Sequence, residues 1–352
     1  MKVSLHSIFS KLQTKILTEH NCYAADNIPF SDTHKIGISY EGFPIFFIAS
    51  SNISSLSNIK LDLISIQFNQ LCRLKLSNTD KPIENYYTIV ALQTENVDYI
   101  NYFIDVVEIV LSKLGNYPTQ KQLHDEIQKL VDLFRCFNLP PQKTIQGLWA
   151  ELFVISIASN PEYLLKAWHS SLNDVYDFND GIDKIEVKST SKSHRIHKFS
   201  YDQLSPTENT NLIISSIFVI QSGIGKNIFD LKEDIETQIC SLELRYKLNE
   251  IIFRTLGSEF EKVYDVYFDY QQAVDSYKLI PAIYIPSLNS ESIPNEITNI
   301  HFDCDLSQID VPDNIAAIYP HSKLSCYNPN KIGSKFSVKF VFILFTAYCI
   351  SW

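Results

Sequence analysis

The chain has 352 residues, of which 45% are hydrophobic and 12% aromatic, a composition typical of a folded protein and not of a disordered one. Its formal net charge of −10 excludes a global attraction to nucleic acid or to an anionic membrane surface, so binding of a polyanion would need a local basic patch or bound cations. The seven cysteines are scattered without a Cys-x-x-Cys pair, which predicts reduced thiols in a cytoplasm rather than a zinc knuckle or disulfide framework.

The first part of the chain predicts a β-rich region followed by helices. Residues 20–95 contain alternating β-branched and apolar runs, with a turn at Glu41-Gly42. Two helices are predicted over about residues 104–134, and they end before Pro140-Pro141, because neither proline fits inside a helix. The N-terminal residues predict a short helix and not a signal peptide, and its apolar face is formed by Leu5, Ile8, Phe9, Leu12 and Ile16.

The second part predicts a mixture of helices and strands. A third helix covers about residues 143–159, a charged hairpin follows, and an apolar strand begins at Asn211. A long amphipathic helix is predicted from Ile228 to Tyr246, and short strands after it. The uncharged apolar stretch Phe340–Trp352 is shorter than the roughly 20 residues that span a bilayer, so we expect a final strand or buried helix, with a membrane-surface tail as the alternative.

The charged hairpin is the most informative segment. Asn179-Asp-Gly-Ile-Asp183 has the composition of a turn, which pairs Phe178 with Ile185 and Asp177 with Glu186. Because side chains alternate across a strand, Asp177 and Glu186 then share one face with Lys188. A slip of one residue in this register removes Asp177 from the set.

Two carboxylates directly opposed on one face repel each other unless a cation lies between them. Mg²⁺ suits such a site because it prefers carboxylate oxygens and keeps positions for water and a phosphate. Lys188 would orient or deprotonate a water there, which predicts metal-assisted hydrolysis of a phosphodiester. The alternative is that Glu186 and Lys188 lie on a solvated strand face by chance.

Three further groups are candidates for the site. Glu151 is the only charged residue between Ile145 and Ala158 and lies on an inward helix face, so it needs a metal ion or a basic partner, or is a satisfied core carboxylate. Gln203 is placed to hydrogen-bond a phosphate or the water of the site. Four basic residues predict phosphate contacts, with a solvated surface as the alternative: Lys192, Arg195, His197 and Lys198.

The pattern Asp-x8-Glu-Val-Lys, preceded by a helix with an inward Glu, resembles the PD-(D/E)XK nuclease superfamily. The longer pattern G-L-W-A-E-L, W-H, D-F, I-E-V-K-S-T, S-H-R-I-H and D-Q-L over about residues 143–205 is similar to bacterial PD-(D/E)XK-motif proteins encoded beside ATPases in phage-defence and restriction-like operons. Tyr176 stands where the superfamily name has Pro. We expect the resemblance to extend over about residues 20–330.

The resemblance implies an α/β fold with a restriction-endonuclease-like core, a mixed β-sheet flanked by helices. It implies that Asp177 and Glu186 are metal ligands, that Lys188 is the catalytic lysine, and that Glu151 completes the site. The Val187 carbonyl is expected as a further ligand. The expected segments are a β-rich and then helical region (1–140), the nuclease core (141–225) and a helical and β extension (226–352).

The leading hypothesis is a Mg²⁺-dependent DNA endonuclease of a bacterial defence or restriction-like system, with Mn²⁺ as a possible substitute metal. Its expected partners are DNA and other proteins of a defence operon, such as an ATPase, with no small-molecule cofactor. We expect it in the cytoplasm, without a membrane association. The main alternative is a non-catalytic DNA-binding or assembly subunit that retains the nuclease fold. A weaker alternative is a membrane-associated component held by the stretch after Phe340.

Overall fold

The chain divides into two compact units. The first comprises Met1–Lys143 and Cys240–Lys262, and the second comprises Thr144–Ile239 and Val263–Trp352. The apolar stretch from Phe340 lies outside the described residues. No described helix has both the length and the apolar character that crossing a membrane requires. The computed structural model describes residues 4–14, 22–50, 56–79, 81–169, 174–205, 209–288, 293–294, 296–311, 318–319 and 322–323.

The first unit is built around a six-stranded sheet, which confirms the predicted β-rich region. Its strands are β1 (Tyr23–Ile28), β2 (Ser31–Ile38), β3 (Pro44–Ile48), β4 (Ile59–Lys60), β5 (Ile64–Leu76) and β6 (Ile83–Leu92), in the order β1-β2-β3-β6-β5-β4. Because β1 also pairs in parallel with β5, five of the strands close on themselves around an apolar interior. The predicted turn between β2 and β3 contains Gly42, whose φ of +94° favours glycine.

Three helices of the first unit begin where side chains cap them. They are α1 (Leu5–Gln13), α2 (Val97–Leu114) and α3 (Gln120–Arg135). Thr119 forms a capping box with Gln122 at the start of α3, which satisfies backbone N–H groups that lack partners within the helix. The predicted apolar face of α1 is buried, apart from Ile16, which lies outside the described residues.

The elements that follow residue 144 belong to the second unit, except helix α7, which belongs to the first. In chain order they are α4 (Ile145–Ile157), α5 (Pro161–Ala167), β7 (Phe178–Asn179), β8 (Asp183–Thr190), β9 (Ile196–Ser200), β10 (Asn211–Phe218), β11 (Gln221–Ser222), α6 (Ile228–Glu236), α7 (Leu242–Leu256), β12 (Tyr267–Phe268), α8 (Tyr270–Ser276), β13 (Lys278–Pro281) and β14 (His301–Asp305).

The single long helix predicted from Ile228 to Tyr246 is wrong. The structure has two helices there, α6 and α7, and they belong to different units. Helix α6 ends at Glu236, and α7 starts at Leu242, directly after the N-cap residue Ser241, whose hydroxyl accepts a hydrogen bond from the Leu244 N–H. A serine at this position is a strong start signal. The apolar spacing continues across the break, which is why periodicity alone joined the two helices.

The sheet of the second unit is mixed and is flanked by helices, as predicted. Its strand order is β13-β10-β8-β7, with β8 parallel to β10 and antiparallel to β7. Helix α4 packs against β8, and α6 packs against α4. A separate two-stranded sheet pairs β9 with β14 in antiparallel register. The charged strand β8 therefore lies in the interior of its sheet, between β10 and the short strand β7.

Candidate active site

A tight turn joins β7 to β8 and sets their register. The Asp180 carboxylate accepts hydrogen bonds from the N–H groups of Ile182 and Asp183, at 3.0 and 2.7 Å, and Gly181 has a φ of +99°. An aspartate that bonds the backbone ahead of it, followed by a glycine at positive φ, is typical of a turn. The resulting register pairs Phe178 with Ile185, as predicted from the sequence.

Asp177 directly precedes β7 and lies along the side of β8 that pairs with β7, which we call the Asp177 edge. Its carboxylate accepts a hydrogen bond of 2.8 Å from the backbone N–H of Val187. The carbonyl of Asp177 accepts another, of 2.9 Å, from the N–H of His169, which holds this part of the backbone in place. Because the N–H and C=O of a strand residue point to the same side, the Val187 carbonyl is directed to the same edge as the Asp177 carboxylate.

Glu186, Lys188 and Gln203 form a closed triangle of polar contacts. The Lys188 ammonium lies 2.8 Å from Glu186 Oε1 and donates a hydrogen bond of 3.0 Å to Gln203 Oε1. Gln203 Nε2 donates to the same Glu186 oxygen at 2.6 Å. Each of the three side chains therefore contacts the other two. Gln203 lies in the 3₁₀ turn Asp202–Leu204 that follows β9.

This triangle lies on what we call the charged face of β8, formed by Lys184, Glu186 and Lys188. The side chains of Glu186 and Lys188 are only 7% and 16% exposed, so little water screens their attraction. The Lys188 ammonium lies 5.1 Å from the ring centroid of Phe199. Burial, together with Glu186 and Asp202, raises the pKa of Tyr176 to about 12. The ion pair is therefore largely shielded from solvent and lies beside an aromatic ring.

Comparison with protein families matches residues 18–307 to the family described as "Putative PD-(D/E)XK family member, (DUF4420)". The chain belongs to this family. The matched range extends from before β1 to beyond β14, so it includes all the described strands. No curated protein and no solved structure matches the chain. Membership and a mixed α/β fold are thus confirmed, while the phage-defence setting stays a prediction.

In this DUF4420 protein, Glu151 is on helix α4, which packs against β8. Helix α4 contacts the face that carries Ser189, where Gln146 donates a hydrogen bond of 3.1 Å to the Ser189 hydroxyl. Glu151 is buried, and its Oε2 accepts a hydrogen bond of 2.8 Å from the indole N–H of Trp168. The sequence predicted a metal ion or a basic residue as its partner, with a satisfied core carboxylate as the alternative, and this contact with Trp168 agrees with the alternative. The Trp-His pair after α5 was the available signal for this contact.

The family implies a divalent cation, and the oxygen donors at the Asp177 edge have suitable chemistry. The carboxylates of Asp177 and Glu186 and the carbonyl of Val187 are the hard ligands that Mg²⁺ prefers. Within the described ranges, no three or more Asp, Glu, His or Cys side chains are grouped as a metal site. The structure therefore does not join Glu151 to the other two acids. A cation would be held by two carboxylates and one carbonyl.

Two of the four predicted phosphate contacts point into the protein. The Arg195 guanidinium donates to the carbonyl and hydroxyl of Ser216, at 2.9 and 2.8 Å, and to the Ser276 carbonyl. His197 is 3% exposed, with Nε2 at 2.7 Å from the Ser216 hydroxyl. Burial, Lys188 and Arg195 lower the pKa of His197 to about 4, so it is neutral near pH 7. This placement does not support phosphate contacts by Arg195 or His197.

The other two predicted phosphate contacts, Lys192 and Lys198, are exposed. Lys192 lies in the loop that follows β8. Lys198 is on β9, where its direct partner on β14 is Asp303. Opposed residues in an antiparallel pair lie on the same face, so Asp303 offsets part of the positive charge of Lys198. Lys192 is therefore the better candidate for a contact with a polyanion.

Proposed function

We propose that the chain is a divalent-metal-dependent nuclease that hydrolyses phosphodiester bonds at the Asp177 edge of β8. The observation that supports this function best is the largely buried Glu186–Lys188 ion pair, together with the Asp177 carboxylate, which accepts a hydrogen bond from the N–H of Val187, the residue between them. Such a pair is expensive to bury, and a strand of this kind does not need it for folding. Family membership provides the second support, because PD-(D/E)XK proteins are nuclease-like.

In this proposal Asp177, Glu186 and the Val187 carbonyl hold the cation. When bound, Mg²⁺ or Mn²⁺ supplies Lewis-acid stabilisation of the charge that builds on the attacked phosphate. Lys188 orients the attacking water through its ammonium, which the contact with Glu186 already holds in place. To accept the proton of that water, Lys188 would first release its own proton to solvent. Gln203 restrains both charged side chains.

The substrate we propose is DNA, and the setting is a bacterial defence or restriction-like system in which an ATPase is a partner. Both rest on the similarity of the motifs over about residues 143–205. The chain has a net charge of −10, so contact with DNA would depend on local charge, with Lys192 as the first candidate.

The alternative we retain is a non-catalytic DNA-binding or assembly subunit. One observation favours it: Lys188 and Gln203 both contact Glu186 Oε1, one of the two oxygens of the carboxylate that the enzyme hypothesis assigns to the metal. In a non-catalytic protein this triangle would be a permanent part of the core. In an enzyme it has to open.

The deciding experiment is cleavage of supercoiled plasmid with Mg²⁺, with Mn²⁺ and with EDTA. Asp177→Asn and Lys188→Ala are compared with the wild-type chain, and Lys121→Ala, an exposed lysine of α3, serves as the control. We expect metal-dependent nicking by the wild type and the control, and a loss of about 10²-fold or more in each site variant. Metal-dependent nicking that survives both substitutions would rule out this site. No cleavage by any protein would favour the non-catalytic alternative.

A further inference from the structure

Gln203 is anchored more firmly than a surface glutamine needs to be. Its backbone N–H donates to the Ser200 hydroxyl at 3.3 Å, and its Oε1 accepts from the Ser200 N–H at 3.1 Å. The next residue, Leu204, is buried in the apolar cluster beneath the charged face. These contacts fix both the backbone of the turn and the direction of the amide. The side chain is thus aimed at the Glu186–Lys188 pair.

The amide bridges the acid and the base with matched polarity. An amide has one acceptor oxygen and one donor nitrogen, and here the oxygen faces the Lys188 ammonium while the nitrogen faces Glu186. The reversed amide orientation would place its donor against an ammonium and its acceptor against a carboxylate. Hydrogen bonds to charged groups are the stronger class, so the bridge stabilises this arrangement of the pair.

The bridge competes with a cation for the same oxygen. Glu186 Oε1 already receives the Gln203 N–H at 2.6 Å and the Lys188 ammonium at 2.8 Å. A divalent ion that bound this oxygen would have to replace at least one of the two donors, and the same two contacts hold the orientation of the whole carboxylate. Binding of a metal through Glu186 Oε1 therefore requires the Gln203 or the Lys188 contact to break or to lengthen.

We infer that Gln203 is a positioning residue that acts through Glu186 and holds the carboxylate in a closed arrangement, which weakens the binding of a divalent cation at the Asp177 edge. This inference rests on the proposed function, since it concerns the same metal ligands. It gives Gln203 a different role from the one predicted from the sequence, where it contacted a phosphate or water. The closed triangle is then the resting state of the site, and metal binding opens it.

The test is the affinity of the full-length chain for Mn²⁺, measured by electron paramagnetic resonance and by calorimetry without any nucleic acid. The variants are Gln203→Leu and Gln203→Ala, with Gln146→Leu as the matched control. Gln146 is also a glutamine that hydrogen-bonds a β8 side chain, but it does so on the opposite face. Circular dichroism and the thermal unfolding midpoint check that each variant is folded.

We expect both Gln203 variants to bind Mn²⁺ about tenfold more tightly than the wild type, which corresponds to about 1.4 kcal/mol. The Kd of Gln146→Leu should stay within about twofold of the wild-type value. A residue that merely supports the fold would not give tighter binding when it is removed. Binding by the Gln203 variants alone, with none detected in the wild type, would also support the inference.

The inference is overturned if the Gln203 variants bind Mn²⁺ as weakly as the wild type, or more weakly. Asp177→Asn separates this failure from failure of the proposed function. If Asp177→Asn abolishes Mn²⁺ binding while the Gln203 variants leave it unchanged, the proposed metal site is supported, but Gln203 does not weaken metal binding. If Asp177→Asn leaves Mn²⁺ binding unchanged, the metal site itself is wrong and both proposals fall.

Discussion

Strands β8 and β10 are neighbours in one sheet and run parallel, yet they differ in chemistry. Their residues pair one to one, with Glu186 opposite Ile214 and Lys188 opposite Ser216. On this shared face β10 buries Ile214 completely, whereas β8 buries a carboxylate and an ammonium. Glu186 and Ile214 are direct neighbours on one face of the sheet, so an apolar side chain is accommodated next to the charged pair.

The comparison indicates that the charges of β8 serve a purpose other than folding. An apolar residue such as Ile214 fits this face and gains free energy from burial. A buried ion pair, in contrast, loses the hydration of both ions and recovers that cost only with good geometry. On the other face of β8, Ile185 is buried, and the one charged residue is Asp183, at the start of the strand.

The largest expected effect comes from making β8 resemble β10. In the double variant Glu186→Ile with Lys188→Met, the charged pair is replaced by apolar side chains of similar volume. We expect metal-dependent plasmid cleavage to fall by about 10³-fold, because a metal ligand and the proton-handling lysine are both lost. The far-ultraviolet circular dichroism should be unchanged. If this variant cleaves plasmid at the wild-type rate, the charges of β8 are not required for catalysis.

Measurements of stability can distinguish the effect of the Glu186–Lys188 ion pair from the effects of the two single charges. Lys188→Met alone leaves the buried Glu186 without its cation, and we expect the free energy of unfolding in urea to fall by about 3 kcal/mol. The double variant should recover most of that loss, because no charge is then left unpaired. If the single and double variants are equally unstable, the ion pair is not the relevant unit.

The polar end of β10 gives a pH-dependent prediction. Ser216 contacts Arg195 and His197, and the pKa of His197 is lowered to about 4 by burial, Lys188 and Arg195, against a smaller opposing effect of Asp305. Between pH 6.5 and 4 the unfolded chain therefore binds a proton that the folded chain does not, so stability falls as the pH falls.

The matched variant for this prediction is His197→Gln, which does not titrate. Between pH 7 and pH 5 the wild type should lose about 2 kcal/mol more of its free energy of unfolding than the variant does. Urea unfolding at the two pH values provides the measurement. Equal losses in both proteins would show that His197 is protonated normally in the folded state.

The smallest expected effect concerns the two exposed lysines near β8. Lys192→Ala should weaken binding of a DNA duplex and reduce the slope of log K against log salt by about 1. Lys198→Ala should change that slope less, because Asp303 is its direct partner across β9 and β14. Fluorescence anisotropy over a range of salt concentrations measures both. If Lys198→Ala reduces the salt slope more than Lys192→Ala does, Lys198 and not Lys192 is the main contact with DNA.

The hairpin could be read from the sequence because its signals are local. Asp180 accepts backbone hydrogen bonds from residues two and three positions ahead, and Gly181 turns the chain, so together they fix the register that pairs Phe178 with Ile185. Alternation along the strand then follows from geometry alone. Helix α5 was missed although Asn160 and Pro161 carry a helix start signal, because its seven residues are too few for periodicity.

The contacts that could not be predicted are those between distant segments. The indole of Trp168 donates a hydrogen bond to Glu151, and Arg195 donates one to Ser216 of β10. Both contacts form only because packing brings distant elements together. A basic residue in a loop therefore looked like a phosphate contact, although its charge is used inside the protein. Likewise, the contact of Gln203 with both Glu186 and Lys188 needs the turn after β9 to lie over β8.

The most direct test of the central claim is a crystal structure of the chain soaked with Mn²⁺, in which anomalous scattering locates the ion. The account predicts a peak roughly 2.0–2.6 Å from a carboxylate oxygen of Asp177, one of Glu186 and the carbonyl of Val187, with Gln203 moved away from Glu186. If a crystal soaked at a saturating Mn²⁺ concentration shows no ion near Asp177, and the contacts among Glu186, Lys188 and Gln203 are intact, the proposed metal site is contradicted.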